Sequence, residues 1–377
     1  GNIYTRIMNP TCDVLEKRVA ALESGLAAVA VGSGQAASAF CIQNVAQNGD
    51  NVVASTDLYG GTVNLFKNTL RMQGIEVRFA DPADPKNFEK LTDEKTRAYY
   101  GESCPNPYLR VFPIKEVADI GRKLGIPLII DNTASPVICK PIEHGAAVVC
   151  HSLTKYIGGH GTTIGGIIVD GGNFDWTANP KRQPLFNQED PSYKGAVWGR
   201  DVPKLTGANV AFAIRARVVL LRDLGAPLSP FNAFQIIQGL ETVALRMKQH
   251  CVNAEKVVQF LETQKKVKNV IYPTNHQGEI KERAKRYMKG GYGSLVGMDV
   301  GTREMGSKFI NNLKMLYHVA NIGDARSLAI HPATTTHSQL NDEELLAAGV
   351  TPGYVRLSIG IEHPDDIIAD IKQALAA

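Results

Sequence analysis

The chain of 377 residues is 44% hydrophobic and 21% charged, with a formal net charge of +4. That is an ordinary balance for a globular protein long enough for two domains. No lysine/arginine cluster is interleaved with aromatics, and no apolar run reaches the roughly 20 residues of a bilayer span, so nucleic-acid and membrane roles are excluded as leading readings. The six cysteines (12, 41, 104, 139, 150 and 251) show no CxxC or metal-ligand spacing; they read as reduced thiols of a cytoplasmic protein without a metal site.

The chain opens at Gly1-Asn2-Ile3-Tyr4, with neither methionine nor a signal-peptide pattern, and the expectation is that a segment is missing before it. Helix-period and strand-like segments alternate from about residue 13 to 170. Ala27–Val31 is a short apolar run. Gln35–Asn48 carries Ala36, Ala37, Phe40, Cys41 and Val45 at helical spacing and stops at Asn48-Gly49. Asn51–Ala54, Val77–Ala80, Pro127–Ile130 and Val148–Cys150 are further apolar runs, and Ile114–Leu124 reads as a crossover helix. This alternation predicts a mostly parallel sheet with helices on both faces, and a ligand site at the carboxyl ends of the strands.

Phe174 to Arg200 is polar, rich in Pro, Asn and Gly, and without clear periodicity; its length predicts a functional or partner-contacting loop. After Leu224 the pattern changes. Pro227-Leu228-Ser229-Pro230 punctuates the chain, and a long helix is predicted from about Phe231 to Gln264. Strand candidates follow at Val270–Tyr272, Ser294–Val300 and Tyr354–Ile359, with a closing helix near Pro364–Ala376. The expected organisation is an N-terminal segment at 1–12, an α/β sheet domain at 13–224 and a smaller α+β domain at 225–377.

Two strand-like runs end by presenting polar groups: Ile129-Ile130-Asp131-Asn132-Thr133 and Val149-Cys150-His151-Ser152-Leu153-Thr154-Lys155. Pyridoxal phosphate (PLP) needs that set: a lysine for the Schiff base, an acid to keep the pyridine nitrogen protonated, and donors for the phosphate. A sheet edge with a surface lysine is the bland alternative. Gly32-Ser33-Gly34-Gln35-Ala36-Ala37 matches the dinucleotide fingerprint G-x-G-x-x-A, with Asp57 downstream. Its physics is more general, since small residues let helix N-terminal N–H groups approach any phosphate. A dinucleotide site has no use for Lys155 and Asp131 in their positions, so a single phosphate is the preferred reading.

Taken together, these segments resemble the Cys/Met-metabolism (trans-sulfuration) family of fold-type-I PLP enzymes, over essentially the whole chain. The residues carrying the resemblance are Tyr4-Thr5-Arg6-Ile7-Met8-Asn9-Pro10-Thr11, Gly32 to Ala37, Asp57-Leu58-Tyr59-Gly60-Gly61-Thr62, and Glu102-Ser103 with Asn106-Pro107. Asp131-Asn132-Thr133, Ser152-Leu153-Thr154-Lys155-Tyr156 and Val355-Arg356-Leu357-Ser358-Ile359-Gly360-Ile361-Glu362 complete it. The resemblance implies a mostly parallel seven-stranded sheet domain and a smaller α+β domain. It implies Lys155 as Schiff-base lysine and proton carrier, Asp131 at the pyridinium, and Ser33, Gly34, Gln35, Ser152 and Thr154 around the phosphate. Asn106 would meet the cofactor's phenolic oxygen, although beside two prolines it also reads as a turn residue. Tyr59 would stack on the cofactor and assist the leaving group, with a core tyrosine as its plain alternative. Arg356 would clamp the substrate α-carboxylate, with Asn321 and Tyr59 as further substrate contacts; a structural salt bridge is the fallback for Arg356. Tyr4 and Arg6 would reach the phosphate of a neighbouring subunit in a homotetramer built as a dimer of dimers.

Within the family, Leu221–Gly225, Ser229–Phe234, Gly239–Thr242, Leu245–Met247 and Pro191-Ser192-Tyr193-Lys194-Gly195 are similar to the O-acetylhomoserine sulfhydrylases. Gly61 stands where methionine γ-lyases typically have cysteine. Lys194 in place of an expected histidine, and Cys104-Pro105 before Asn106, are departures. The implied activity is γ-replacement: O-acetyl-L-homoserine and a sulfur nucleophile give L-homocysteine and acetate. A methionine γ-lyase, a cystathionine γ-synthase or a non-catalytic PLP-binding protein are the other readings. The sulfur donor, and O-acetyl against O-succinyl or O-phospho esters, are left open by the sequence.

Overall fold

Seven short strands build the larger sheet: β1 (Ala27–Val31), β2 (Asn51–Ser55), β3 (Glu76–Ala80), β4 (Thr96–Glu102), β5 (Leu128–Asp131), β6 (Val148–Ser152) and β7 (Gly166–Asp170). Their order is β1-β7-β6-β5-β4-β2-β3. All are parallel except β7, which runs antiparallel to both β6 and β1. The computed structural model describes residues 2–336, 338, 341, 343, 345 and 350–377. β2, β4 and β7 are buried along their whole length, as strands covered on both faces must be. Edge strand β3 instead carries Glu76 and Arg78, charges that discourage pairing with another chain. Alternate residues feed opposite layers. Val29 and Val31 pack with Phe40 of the helix Gly34–Gln43 on one face; Ala28 and Ala30 pack with Leu15 and Val19 of the helix Pro10–Leu22 on the other.

The second sheet has five strands, β8 (Asn269–Ile271), β9 (Leu295–Asp299), β10 (Tyr317–His318), β11 (Leu328–Ile330) and β12 (Tyr354–Ser358), in the order β10-β11-β12-β9-β8. It is antiparallel apart from the β10–β11 pair. The helices Val243–Glu262, Arg303–Asn312 and Pro364–Ala376 contribute Leu261, Phe309 and Ile371 to the core that covers it. Among the described residues, no helix is long and apolar enough to cross a membrane.

Several sequence expectations need correction. The long helix from Phe231 is two helices, Pro230–Glu241 and Val243–Glu262. The Arg246 guanidinium takes the Gly239 carbonyl (2.8 Å) and the Thr242 hydroxyl (3.2 Å), so the Gly239 carbonyl is drawn away from residue 243. The helix expected at Gln35–Asn48 is Gly34–Gln43, because Asn44 turns its amide to the Phe212 carbonyl and accepts from Arg215 instead. The apolar runs singled out above omit β4 and β7. Residues 174–200, which show no periodicity in the sequence, hold short helical turns at Pro184–Asn187 and Pro191–Tyr193, and Trp176, 2% exposed, stacks on Phe186 and Phe212.

Candidate active site

The carboxyl ends of β4, β5 and β6 place Glu102, Asp131 and Ser152 side by side, with Glu102 opposite Asp131 in register. Thr133 ties two of these strand ends together. Its N–H donates to Asp131 Oδ1 (2.9 Å), and its hydroxyl oxygen accepts from the Ser152 N–H (2.8 Å). Glu102 Oε1 accepts the Tyr59 N–H at 2.6 Å. Burial, and then the neighbouring Asp131 charge, push the Glu102 carboxyl well above its usual range. Burial also raises Asp131, against the Thr133 hydrogen bonds and the nearby His151 charge, which pull it down. Two carboxyls this close in a buried setting titrate as a pair, and burial raises both.

Ser33 caps the helix Gly34–Gln43: its Oγ accepts the Ala36 N–H at 3.1 Å. The N–H groups of Gly34 and Gln35, in the first turn, have no partner within the helix and point out at its positive end. A Cβ on Gly34 would lie 2.6 Å from Ser152 Cβ, so only glycine brings this helix start against the tip of β6. Two N–H groups, the Ser152 hydroxyl and the Thr154 hydroxyl converge there. An anion such as a phosphate fits that cradle.

A cavity of about 280 Å³ opens beside it, lined by Ser33 to Gln35, Tyr59, Glu102, Asn106, Asp131, Thr133, Ser152, Thr154, Lys155 and Arg356, and closed by Ile164, Leu295, Ala320 and Ile322. Lys155 follows β6 by one turn, and its Nζ donates to Asn321 Oδ1 at 2.5 Å. Burial, helped by the Arg356 charge, lowers the Lys155 pKa, which favours a neutral amine. Arg356, on β12, donates through Nη2 to the Asn321 carbonyl at 3.0 Å, while its Nε has no partner among the described residues. Burial lowers its pKa too. A buried guanidinium with donors to spare is suited to a carboxylate. Asn106 Oδ1 is likewise buried and unpaired. The Tyr59 ring stays 56% exposed at the cavity edge and lies back over Gly61, where a Cβ would come within 2.5 Å of Cε1.

The structure therefore gathers Ser33, Gly34, Gln35, Tyr59, Asn106, Asp131, Ser152, Thr154, Lys155 and Arg356 around one cavity, with Asn321 bridging Lys155 and Arg356. Tyr4 and Arg6 are not among them. Both are exposed, with the Arg6 guanidinium 5.0 Å from the Tyr4 ring centroid, away from this chain's own cavity. Asp57 is held by both Nε and Nη2 of Arg110 at 2.7 Å, so the acid of the dinucleotide fingerprint serves a half-buried ion pair. Sequence reasoning gave no role to Glu102 or Thr133. Thr133 could have been found from its position two residues past Asp131, whereas Glu102 needed the register of β4 on β5.

PLP fits this set. The phosphate has the cradle, an amine lies one turn away, and the Asp131 carboxyl waits at the next strand end. Unpaired Asn106 and Arg356 atoms face the space between. Among the described residues, no three His, Cys, Asp or Glu side chains group as a metal site.

Comparison with known proteins agrees with this chemistry. The O-acetyl-L-homoserine sulfhydrylase of Leptospira meyeri is 51% identical over 382 residues, covering 100% of this chain and 86% of that protein. The homocysteine synthase of Schizosaccharomyces pombe is 47% identical over 378 residues, covering 100% and 87%. A crystal structure from Campylobacter jejuni, assigned as an O-acetylhomoserine (thiol)-lyase and containing N'-pyridoxyl-lysine-5'-monophosphate, superposes with a TM-score of 0.94 at 40% identity, covering 100% of this chain and 89% of that one. The family model described as Cys/Met metabolism PLP-dependent enzyme matches residues 1–376, and this chain belongs to that family.

Proposed function

We propose that this protein catalyses γ-replacement on O-acetyl-L-homoserine with a sulfur nucleophile, giving L-homocysteine and acetate. The observation that carries the reading is the single cavity in which Lys155, Asp131, the phosphate cradle and Arg356 converge. The names of its relatives support the choice of substrate.

In this reading Lys155 binds the cofactor covalently and Asp131 meets the ring nitrogen. Gly34, Gln35, Ser33, Ser152 and Thr154 take the phosphate, Asn106 the phenolic oxygen, and the Tyr59 ring lies over the cofactor face. PLP, when bound, supplies the electron sink that stabilises negative charge on substrate carbon. The rest is done by this chain. Arg356 holds the α-carboxylate through its two-pronged fork, with Asn321 and Tyr59 as further substrate contacts. Lys155, its pKa lowered by burial, takes the α-proton and later returns one to the product. A second proton then leaves the β-carbon, and the electron pair left there breaks the bond between the γ-carbon and the acetate oxygen, with the Tyr59 hydroxyl as the proton donor to departing acetate in this reading; a proton returns to the β-carbon after sulfur has added. The thiol or sulfide then forms its C–S bond at the γ-carbon, and its proton is released. Orientation of the three reacting groups in one small cavity is the protein's main contribution.

We read Tyr4 and Arg6 as reaching the phosphate of a neighbouring subunit in a homotetramer; their exposure on an arm outside their own cavity supports this. The proposed division at 13–224 and 225–377, with an arm at 1–12, places β1–β7 in one unit and β8–β12 in the other. The test is an assay of O-acetylhomoserine against sulfide, small thiols, cysteine and no sulfur donor. Homocysteine from sulfide is expected. Elimination as the main outcome without a donor, or cystathionine from cysteine as the preferred product, would overturn the reading in favour of a lyase or a cystathionine synthase.

A further inference from the structure

Beneath the cofactor side of the cavity lies a buried polar cluster that the proposed chemistry does not use. Glu23, the residue that ends the helix Pro10–Leu22, is 1% exposed. Its Oε1 accepts from Asn132 Nδ2 at 2.9 Å and is hydrogen-bonded to His151 Nε2 at 2.6 Å. Asn132 directly follows Asp131, and His151 directly precedes Ser152. Asn132 is fully buried and His151 is 1% exposed. Neither lines the cavity. His151 alternates with Ser152 along β6 and so faces the other side of the sheet.

We propose that Glu23 is a positioning residue of the active site, one carboxylate oxygen fixing the two strand tips that carry Asp131 and Ser152. The proposal rests on the reading of Asp131 and Ser152 as the groups that meet the cofactor's ring nitrogen and phosphate.

Stability alone gives no reason for such a cluster. Glu23 Oε2, His151 Nδ1 and Asn132 Oδ1 have no partner among the described residues. Each buried unpaired polar atom costs about 1–3 kcal/mol, and well-packed apolar residues would hold the helix end against the sheet at least as firmly. What apolar residues would not do is fix the relative position of two neighbouring strand ends. Asn132 Nδ2 also donates to the Cys139 carbonyl at 2.9 Å, so the tip of β5 is held from two directions. Ionisable groups that feel the cluster include Asp131, through His151, on the cavity side and the Cys139 thiol, through Glu23, on the buried side. The His151 charge is one of the influences that pull Asp131 toward its ionised form.

The experiment compares Glu23→Gln, Asp131→Asn, Ser152→Ala and the Glu23→Gln/Asp131→Asn double variant, with Asp170→Asn as a buried control on β7. Three quantities are read: PLP affinity of the apoprotein, the pH midpoint of the bound cofactor's visible band, and the melting temperature. Glu23→Gln is expected to weaken PLP binding about tenfold, the scale seen when groups supporting a ligand contact are removed, and to move the band midpoint in the same direction as Asp131→Asn. In the double variant the loss should be smaller than the product of the two single losses, the mark of coupled sites. Asp170→Asn should change only the melting temperature. A Glu23→Gln protein with lowered melting but wild-type PLP affinity and midpoint would overturn the proposal. If Glu23→Gln does not fold, the same measurements on His151→Gln decide it by the same criteria. If Asp131→Asn and Ser152→Ala themselves leave affinity and midpoint unchanged, the underlying site reading has failed, and the proposal falls with it.

Discussion

The two walls of the cavity are built differently. On the wall formed by the tips of β4, β5 and β6, the polar groups are bound to protein: Asp131 to Thr133, the Ser152 N–H to Thr133, Glu102 to the Tyr59 N–H, and the Thr154 hydroxyl to Gly165. On the wall formed by β12 and the segment before β11, Arg356 holds a single carbonyl and keeps its Nε unpaired in a buried setting. The first wall is preorganised, and the same donors and acceptors stand ready through every turnover. The second holds a strong donor in reserve, so its energy appears only when a carboxylate arrives. A resident cofactor suits the first arrangement and a substrate that comes and goes suits the second.

The largest test strikes the first wall. Lys155→Ala should lower γ-replacement by at least ~10³-fold, because among the described residues no other amine lines the cavity to carry the proton. Steady-state assay of the cofactor-loaded variant checks it, and wild-type turnover would remove Lys155 from the mechanism. Co-expression with Arg6→Ala extends the test to assembly. If Arg6 serves a neighbour, mixed oligomers contain one site with both residues intact and should recover activity that neither variant has alone. A mixture no better than its parts would place Arg6 outside the site.

Arg356→Lys strikes the second wall. Losing the fork while keeping the charge should cost about 2 kcal/mol, or ~30-fold in kcat/KM. If this wall only recognises substrate, the loss falls on KM, and PLP affinity stays at wild type. An equal fall in PLP affinity would mean that the two walls are not separate in function.

Gly61→Ala probes the hinge between recognition and leaving-group chemistry. The added Cβ would stand 2.5 Å from Tyr59 Cε1, so the half-exposed ring must swing. Displacement of a reacting group on this scale should cost about tenfold in kcat. The melting temperature should barely move, since the ring has solvent to swing into. Unchanged kcat would show that Tyr59 does not act through this ring position.

The first wall was also the legible one. Ile129–Thr133 and Val149–Lys155 are contiguous apolar runs ending in polar groups, and a parallel sheet turns such endings into neighbours. In the second wall only β12, the predicted strand that carries Arg356, was legible as an element; Asn321 lies between β10 and β11, strands of two and three residues too short to show a period, and reaches Lys155 only through the packing of one sheet on the other. Glu102 stayed without a role because its neighbour Asp131 is 29 positions away and meets it only through strand register. The helix break at Thr242 was hidden for a related reason: it depends on where a buried arginine four residues further on places its guanidinium.

The smallest expected effect lies at the seam between the walls. His250 donates through Nδ1 to the Ile359 carbonyl at 2.6 Å, just past β12, and its ring meets Tyr156, the residue after Lys155, edge to face with centroids 5.4 Å apart. Burial lowers its pKa to about 4, with the Arg246 charge adding to the push and the Ile359 hydrogen bond opposing it. In the unfolded chain the imidazole takes its proton near its ordinary value of 6.5. Between those two values the unfolded state binds more protons than the folded one, so acidification from pH 6.5 toward 4 draws the protein toward unfolding, and below 4 the effect stops growing. From pH 7 to pH 5 the loss should be about 2 kcal/mol. For a chain of this size that is a shift of roughly 2–4 °C in melting temperature. His250→Gln should flatten the wild-type decline over that interval by this amount, whatever it does to stability at pH 7. Turnover at pH 7, where His250 is neutral in the folded protein, should stay close to that of a variant of equal melting temperature. Parallel pH profiles for variant and wild type would mean that His250 is not held neutral at the seam. The contact joining Lys155's turn to the substrate wall would then be indifferent to acid.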